Sequence, residues 1–164
     1  MTTPEAIVIL ITGMSGTGKS ATLDALRERG WHAIDTDSGP WQVPGPDGDP
    51  VWDEPEIEAL LDAIPAGGRL ALAGTVPNQG VFRSRFNAVI LLVAPLETML
   101  RRVATRTTNP FGSTEAQRAS IAADTAWVLP LLRRTADLEL DTSTLAIADV
   151  AARIEAFVTR RTAA

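Results

Sequence analysis

The stretch that decides the fold is the octet Gly13-Met14-Ser15-Gly16-Thr17-Gly18-Lys19-Ser20. It fits the phosphate-binding pattern G-x-x-x-x-G-K-[ST] at every fixed position. Lys19 is the only lysine of the chain, whose other strongly basic residues are all arginines. An ammonium on a flexible stem is therefore kept at the one place where phosphate chemistry needs a compact point charge. The octet predicts that this chain binds a nucleoside triphosphate.

The residues on either side of the octet give it the required setting. Residues 6–11 (AIVILI) form a continuous apolar run, typical of a strand buried on both faces of a parallel sheet. Residues 20–29 carry two leucines at helical spacing and stop at Gly30, which suits the left-handed position after a helix. In a strand, glycine turn and helix, backbone N–H groups converge on an anion. We predict that Lys19 reaches the β- and γ-phosphates and that the Ser20 hydroxyl ligates Mg²⁺. A glycine-rich surface turn with a solvated lysine is the alternative.

Length and composition describe the body that carries this loop. The chain has 164 residues, of which 45% are hydrophobic and 21% are charged, so we expect one domain over residues 1–164. The net charge of −5 argues against nucleic acid as a partner, because such binding depends on clustered basic residues. The chain has no cysteine for disulfides or thiolate metal sites, no signal pattern and no membrane-length apolar run. We expect a soluble cytoplasmic protein that does not bind membranes, as a monomer or homodimer.

Apolar runs alternate with helical segments along the rest of the chain. This rhythm predicts a doubly wound parallel sheet covered by helices on both sides. Residues 36–55, rich in proline and glycine, are predicted to form a loop. The predicted strands after the first are 31–35, 69–73, 88–93 and 138–140, and the predicted later helices are 54–64, one opened by Pro95, 114–134 and 145–161.

Cap signals mark two of these helix starts. Asp53 stands in a capping-box relation to Glu56, and Thr114 precedes Gln117 at the same spacing. Trp127, on the long helix that follows Thr114, is assigned to the hydrophobic core. His32 has no second histidine to complete a metal site and is interpreted as a bystander.

Two carboxylates directly follow the second predicted strand. Ligands of open α/β sheets bind beyond the carboxyl ends of the strands, which is where Asp35 and Asp37 stand. At positions i and i+2 of an extended segment their side chains point to the same side. One can help to hold Mg²⁺ and the other can accept a proton from a substrate hydroxyl. The alternative is that Asp-Thr-Asp-Ser-Gly only makes a turn.

The order of these motifs resembles the P-loop small-molecule kinases, the group that contains shikimate kinase, gluconate kinase and adenylate kinase. The resemblance lies in the octet, in AIDTDSG at residues 33–39, and in Arg102-Val103-Ala104-Thr105-Arg106 before a loop. It spans most of the chain. It implies a three-layer α/β/α fold with a five-stranded parallel sheet and a mobile lid over about residues 106–117. Residues 36–64 would form an acceptor-binding segment.

The same resemblance implies roles for individual residues. Asp35 would join Ser20 in the Mg²⁺ shell, and Asp37 would be the catalytic base. Arg102 would stack on adenine, beside a loop at residues 141–144. ATP and Mg²⁺ would be the cofactors. The implied catalytic residues are Lys19, Asp37 and Arg106, and the implied nucleotide-binding residues are Gly13, Ser15, Gly16, Thr17, Gly18, Lys19, Ser20, Arg102, Arg106 and Thr142.

The chain departs from shikimate kinase at two places. Gly74-Thr75 replaces a triple glycine after the third predicted strand, and Val128 stands where an arginine is expected. The acceptor is therefore not assigned. Six further residues have two interpretations each. The first four could bind the acceptor or belong to a surface loop: Asn78, Gln79, Arg83 and Arg85. Trp41 and Trp52 could stack on the acceptor or anchor their own segment to the body.

These observations predict an ATP-dependent kinase that transfers the γ-phosphate to a hydroxyl of a small molecule. A nucleoside or nucleotide kinase is the alternative within the same chemistry. A P-loop ATPase is less favoured, because the third and fourth predicted strands end at Ala73-Gly74 and Ala94-Pro95 without an acidic Mg²⁺ partner. A nucleotide-binding regulator without an acceptor is the remaining alternative.

Overall fold

The computed structural model describes residues 2–106 and 111–164. Within this part of the chain, five parallel strands form one sheet and two short strands form a separate hairpin. The elements in chain order are β1 (Ile7–Thr12), α1 (Lys19–Glu28), β2 (His32–Asp35), β3 (Gln42–Pro44), β4 (Pro50–Trp52), α2 (Glu54–Asp62), β5 (Arg69–Ala73), a 3₁₀ helix (Gln79–Arg85), β6 (Ala88–Val93), α3 (Leu96–Thr105), α4 (Glu115–Thr135), β7 (Leu138–Asp141) and α5 (Ile147–Ala163).

The sheet has the order β2-β5-β1-β6-β7, so β1 lies at its centre. Alternate side chains of β1 enter two different cores, as the pleat requires. Ile9 and Ile11 pack in a core that α1 and α5 cover, whereas Val8 and Leu10 pack with Trp52 and α2 on the other face. The five-stranded parallel sheet and the three-layer architecture are confirmed. β5 and β6 also have the bounds that the sequence predicts.

The prediction of a loop over residues 36–55 is wrong in its centre. β3 and β4 pair antiparallel, with Gln42 opposite Trp52 and Pro44 opposite Pro50. Proline is tolerated here because each strand of a two-stranded ribbon has an edge where a missing N–H breaks no ladder bond. The hairpin follows β2 after six residues and, together with α2, makes up most of the predicted acceptor segment.

The start of α2 differs from the predicted capping box. Asp53 is the N-cap residue, but its side chain makes no capping hydrogen bond, and the helix ends at Asp62 rather than Ile64. Pro55 occupies the second helical position and has no N–H, which removes one of the two donors that a cap residue usually binds.

The long helix α4 starts as predicted, but the placement of Trp127 is wrong. The Thr114 hydroxyl accepts a hydrogen bond from the Gln117 backbone over 3.1 Å. Trp127 is 80% exposed, because Ile121 and Leu132 form the buried side of this helix and Trp127 projects from another side. No helix in the described ranges combines the length and apolar character that a membrane span needs.

Candidate functional site

The loop between β1 and α1, residues 13–18, is called the phosphate loop below. Its glycines are required by both space and backbone conformation. A Cβ atom at Gly16 would lie 2.6 Å from the Met99 carbonyl oxygen, and Gly18 has a φ of +96° where it caps α1. Side chains rarely adopt that conformation, so the loop depends on glycine to bring backbone N–H groups close to a ligand.

Lys19 is the first residue of α1 and folds back over the phosphate loop. Its Nζ donates hydrogen bonds to the carbonyl oxygens of Gly13 at 2.6 Å and Met14 at 3.1 Å. Burial lowers the pKa of this ammonium from its ordinary value of 10.5, while the carboxylates of Asp37 and Asp35 act in the opposite direction. A partly buried cation beside the N–H groups of the phosphate loop favours an anionic ligand.

Ser20 and Asp35 bring two hard oxygen ligands together. The Ser20 Oγ donates a hydrogen bond to Asp35 Oδ2 over 3.0 Å, and Asp35 Oδ1 accepts from the Asp37 N–H at the same distance. A hydroxyl and a carboxylate in contact are the protein ligands that Mg²⁺ takes when phosphates supply the rest of its shell. The residues present therefore fit a nucleotide-bound Mg²⁺. Over residues 2–106 and 111–164, no group of three acidic or histidine side chains is placed to hold a metal ion by itself.

Asp37 lies between the phosphate loop and the hairpin. Its Oδ1 accepts a hydrogen bond from Gln42 Nε2 over 3.1 Å, so the first residue of β3 holds this carboxylate. Asp37 is exposed and close enough to Lys19 and Arg106 to raise the pKa of both, against the larger opposite effect of burial. Asp37 thus lines the cavity of the phosphate loop and is bonded to the hairpin at the same time.

Arg102 joins the phosphate loop to the loop after β7. Its guanidinium donates to the Gly16 carbonyl at 3.1 Å, the Thr142 hydroxyl at 2.9 Å and the Thr142 carbonyl at 3.0 Å. The Thr142 hydroxyl in turn donates to the Thr17 carbonyl over 2.7 Å. Thr142 is buried, so it supports the phosphate loop from behind. Stacking of Arg102 on adenine stays a prediction.

Arg106, at the end of α3, begins the predicted lid. It lines the same cavity as Lys19 and also donates a hydrogen bond to the Phe111 carbonyl. Residues 111–117 of the predicted lid are described: Gly112 is buried, and its N–H donates to Gln117. Residues 107–110 lie outside the described residues, and lid motion stays a prediction.

These side chains share one cavity of about 350 Å³ at the carboxyl ends of the strands. The cavity is lined by Ser15, Gly16, Gly18, Lys19, Ser20, Ala21, Asp24, Asp35, Asp37, Arg102 and Arg106. The structure thus brings together every predicted catalytic and metal-binding residue. A second cavity of about 310 Å³ lies near the starts of β2 and β5 and holds none of them.

Four of the open candidates have structural partners. Asn78 bonds both the N–H and the carbonyl of Trp52, at 2.9 and 3.0 Å, and Gln79 bonds the Val76 N–H. Arg83 pairs with Asp137, and Arg85 pairs with both Glu58 and Asp62. These partners favour a structural role for the four residues over binding of an acceptor.

The two tryptophans of the acceptor segment anchor it to the body. Trp52 is 1% exposed, its Nε1 donates to the Thr36 hydroxyl over 2.9 Å, and its ring meets Phe82 edge to face. Trp41 packs against the same core and is partly buried. Gly74 leaves room for this arrangement, since a Cβ there would clash with Thr36.

Sequence reasoning missed Thr75, which touches the phosphate loop directly. Its hydroxyl donates to the Gly13 carbonyl over 2.6 Å and lies 3.1 Å from the Thr12 hydroxyl. Thr75 follows β5, which is the sheet neighbour of β1. The sequence shows only a polar residue shortly after a predicted strand. Its contact with the phosphate loop could be predicted only with the knowledge that β5 pairs with β1.

Residues 9–122 match the model of a protein family described as an AAA domain. The chain belongs to this AAA domain family. The match begins within β1 and reaches α4, so it covers the phosphate loop, both carboxylates and both cavity arginines.

Curated relatives of this AAA domain chain carry the name nucleotide-binding protein. One from Koribacter versatilis is 31% identical, covering 90% of this chain and 48% of the relative. Another, from Alkalilimnicola ehrlichii, is 32% identical and covers 83% of this chain and 49% of the relative. The chain thus spans about half the length of the curated relatives that it matches.

Solved structures of kinases share the fold of this AAA domain. Shikimate kinase from Acinetobacter baumannii, in complex with shikimate, superposes with a TM-score of 0.67 at 21% identity, over 94% of each chain. A gluconokinase from Sinorhizobium meliloti superposes with a TM-score of 0.56 at 17% identity, over 98% of this chain and 94% of the other. At these identities the likeness establishes a P-loop kinase fold, and the acceptor remains unassigned.

Proposed function

We propose that this protein is an ATP-dependent kinase that transfers the γ-phosphate to a hydroxyl of a small molecule. The observation that carries the proposal is the single cavity in which Lys19, Ser20, Asp35, Asp37 and Arg106 meet. Phosphoryl transfer needs positioning and charge neutralisation more than covalent chemistry, and this set supplies both. The kinase fold of the solved neighbours supports the same conclusion.

The nucleotide end of the cavity is formed by the phosphate loop. Backbone N–H groups of residues 13–18 and the Lys19 ammonium would hold the β- and γ-phosphates of ATP. Ser20 and Asp35 would hold Mg²⁺, which neutralises phosphate charge when it is bound. The loop after β7, fixed by Arg102 and Thr142, would lie beside the base.

The acceptor end is marked by Asp37. The acceptor oxygen would form a bond to the γ-phosphorus while the bond from this phosphorus to the β,γ-bridging oxygen breaks and ADP leaves. Asp37 would take the hydroxyl proton, with Gln42 holding its other carboxylate oxygen. Lys19 and Arg106 would balance the charge on the transferred group and on ADP.

A nucleotide-binding regulator without an acceptor is the second candidate, because the curated relatives are named only for nucleotide binding. A nucleoside or nucleotide acceptor is a third. For all of them we propose a cytoplasmic protein that works on small molecules, without nucleic acid or membrane partners, as a monomer or homodimer.

A screen of metabolite fractions for acceptor-dependent ADP release, with ATP and Mg²⁺ supplied, separates these candidates. The kinase proposal expects at least one fraction to raise ADP release well above the rate without acceptor, and Lys19→Ala to abolish the increase. Tight ATP binding with no response to any fraction would favour the regulator. A high rate without acceptor would favour an ATPase.

A further inference from the structure

The Lys19 ammonium has fewer N–H groups than its present partners and a bound triphosphate together require. Its Nζ carries three N–H donors. Two of them are directed at the carbonyl oxygens of Gly13, at 2.6 Å, and of Met14, at 3.1 Å. One donor is left, whereas the proposed contact with both the β- and γ-phosphates needs two. Lys19 must therefore release at least one of the two carbonyls when a nucleoside triphosphate binds.

Release of either carbonyl would be unfavourable if no other donor held it. Gly13 and Met14 are both buried, and a buried carbonyl without a hydrogen bond costs free energy. Gly13 is also closely packed, since a Cβ atom there would lie 2.5 Å from the Leu92 carbonyl oxygen and 2.8 Å from the Thr17 hydroxyl. The neighbours of Gly13 therefore leave this end of the phosphate loop little room to rearrange.

Each of the two carbonyls already has a hydroxyl donor besides Lys19. The Thr75 hydroxyl donates to the Gly13 carbonyl over 2.6 Å, and the Thr17 hydroxyl donates to the Met14 carbonyl over 2.8 Å. A carbonyl oxygen has two lone pairs, so it can accept from the ammonium and from a hydroxyl at the same time. Neither carbonyl is therefore left without a donor when the ammonium turns to another ligand.

The Thr75 hydroxyl is held in this orientation by a directed series of hydrogen bonds. It accepts from the Gly13 N–H over 3.2 Å and lies 3.1 Å from the buried Thr12 hydroxyl. Because the single Thr75 hydroxyl proton is donated to Gly13, Thr12 must be the donor between the two threonines. Gln79 completes the series: its Oε1 accepts from the Val76 N–H, and its Nε2 donates to Thr12 over 3.3 Å. The donor and both lone pairs of the Thr75 hydroxyl are thus engaged.

We propose that Thr75 and Thr17 are positioning residues for Lys19, whose hydroxyls keep the Gly13 and Met14 carbonyls bonded while the ammonium transfers to the phosphates. This inference rests on the proposed function and assigns a role to two hydroxyls of its nucleotide site. In this role neither hydroxyl contacts the phosphates or the acceptor. Both act on nucleotide binding only through Lys19.

The test compares the effect of Thr75→Val on the free protein and on the nucleotide complex. Valine keeps the branched shape but cannot donate to Gly13. In the free protein Lys19 still bonds to the Gly13 carbonyl, whereas in the complex this carbonyl loses its remaining donor. We expect the affinity for a non-hydrolysable ATP analogue with Mg²⁺ to fall about tenfold in calorimetric titrations. A hydroxyl with a merely structural role would stabilise both states equally, and its loss would leave the affinity unchanged.

Three further variants complete the series. Thr75→Ser keeps the hydroxyl and should restore the affinity to within about twofold of that of the unsubstituted chain. Thr75→Ala should lose affinity as Thr75→Val does, and it carries the test if the valine variant does not fold. Thr162→Val is the matched control: it removes a hydroxyl that donates to the Val158 carbonyl over 2.9 Å on α5, outside the cavity, and should leave the affinity unchanged.

The transfer of Lys19 can also be followed directly, because Lys19 is the only lysine of the chain. Lysine that is isotope-labelled at Cε gives an NMR signal from this residue alone. We expect the signal to shift when the ATP analogue is added to the unsubstituted chain. In Thr75→Val the same shift should require about tenfold more analogue.

The outcomes separate the inference from the proposed function. An affinity within twofold of the original in both Thr75→Val and Thr75→Ala would overturn the inference and leave the proposed function standing. An equal loss in Thr75→Ser and Thr75→Val would also overturn it, since the hydroxyl would then not be the group that matters. An unsubstituted chain that does not bind the analogue would contradict the proposed function itself.

Discussion

The Thr142 hydroxyl donates a hydrogen bond to the Thr17 carbonyl over 2.7 Å, although 125 residues separate the two in the chain. The same hydroxyl accepts a hydrogen bond from Arg102. One buried oxygen therefore links the loop after β7, helix α3 and the phosphate loop. Because this oxygen acts from behind the loop, its contribution to nucleotide binding would be through the loop's shape.

Replacement of Thr142 by valine should weaken ATP binding while largely preserving turnover at saturating ATP. Valine keeps the shape but leaves the Thr17 carbonyl and one Arg102 donor unsatisfied, which should cost about 1–3 kcal/mol in the free energy of unfolding. Calorimetric titration with ATP and urea unfolding measure the two effects. Thr142→Ser retains the hydroxyl and should recover most of both losses. An unchanged ATP affinity in Thr142→Val would show that the loop keeps its shape without this bond.

Lys19→Met should abolish ATP binding without lowering the stability of the protein. The partly buried ammonium loses hydration in the absence of a phosphate, and this loss lowers the pKa of Lys19. Thermal unfolding at neutral pH should therefore give a melting temperature equal to or above that of the unsubstituted chain. Arg101→Met removes an exposed cation from α3 outside the cavity and should leave ATP binding unchanged. A destabilised Lys19→Met would mean that the ammonium supports the fold through Gly13 and Met14.

The lowered pKa of Lys19 also predicts how pH acts on this protein. In the folded protein the pKa of Lys19 lies below its ordinary value of 10.5, at which the unfolded chain loses this proton. Between these two points the unfolded state binds more protons, so the contribution of Lys19 to the free energy of unfolding rises with pH. ATP affinity should fall over the same alkaline range, since a neutral amine no longer attracts phosphate. Lys19→Met should remove this contribution to the pH dependence of stability, as urea titrations at several pH values can show.

Asp37→Asn should slow phosphoryl transfer by roughly 10²-fold or more while ATP affinity stays close to its original value. The amide can still bond to Gln42 but cannot accept the hydroxyl proton. Single-turnover measurements with an identified acceptor separate this step from product release. Asp47→Asn changes the same charge on the exposed hairpin tip and serves as the control. Undiminished transfer in Asp37→Asn would remove this residue from the role of base.

Trp52 is buried and Trp127 is exposed, so replacement by alanine should destabilise the protein strongly at the first position and weakly at the second. Trp52→Ala would leave a cavity between Phe82, Phe86 and the sheet, and should reduce the free energy of unfolding by about 3–5 kcal/mol. Trp127→Ala, at an exposed position of α4, should change it by about 0.5 kcal/mol or less. Denaturant unfolding of both variants tests the burial directly, and a large loss for Trp127→Ala would place a contact on this residue.

The strands of the sheet could be predicted well, because parallel strands that are buried on both faces consist of continuous apolar runs. Residues 69–73 and 88–93 have the predicted bounds for this reason. The phosphate loop was equally clear, since all of its parts are adjacent in the chain. Asp35 and Asp37 were found because ligands gather beyond strand ends.

Structural features that depend on contacts between distant parts of the chain could not be predicted from local sequence patterns. The hairpin of residues 42–52 looked like an irregular loop, since its fixation by Asn78 and Thr36 is invisible in the local pattern. Thr75 gains its contact with Gly13 only through the pairing of β5 with β1. Trp127 was misplaced because an aromatic on a helix suggests burial, whereas its angular position on α4 decides otherwise.

The anchoring of Trp52 in the core separates the stability of the hairpin from the sequence of its tip. The base of the hairpin is locked by Asn78 and Thr36, while its tip at residues 45–49 is largely exposed and makes no described contact with the core clusters. Tips of different length or composition could therefore be grafted between Pro44 and Pro50 at little thermodynamic risk. In the kinase that we propose, exchange of residues 45–49 would then alter the acceptor side of the site while the base of the hairpin stays in place.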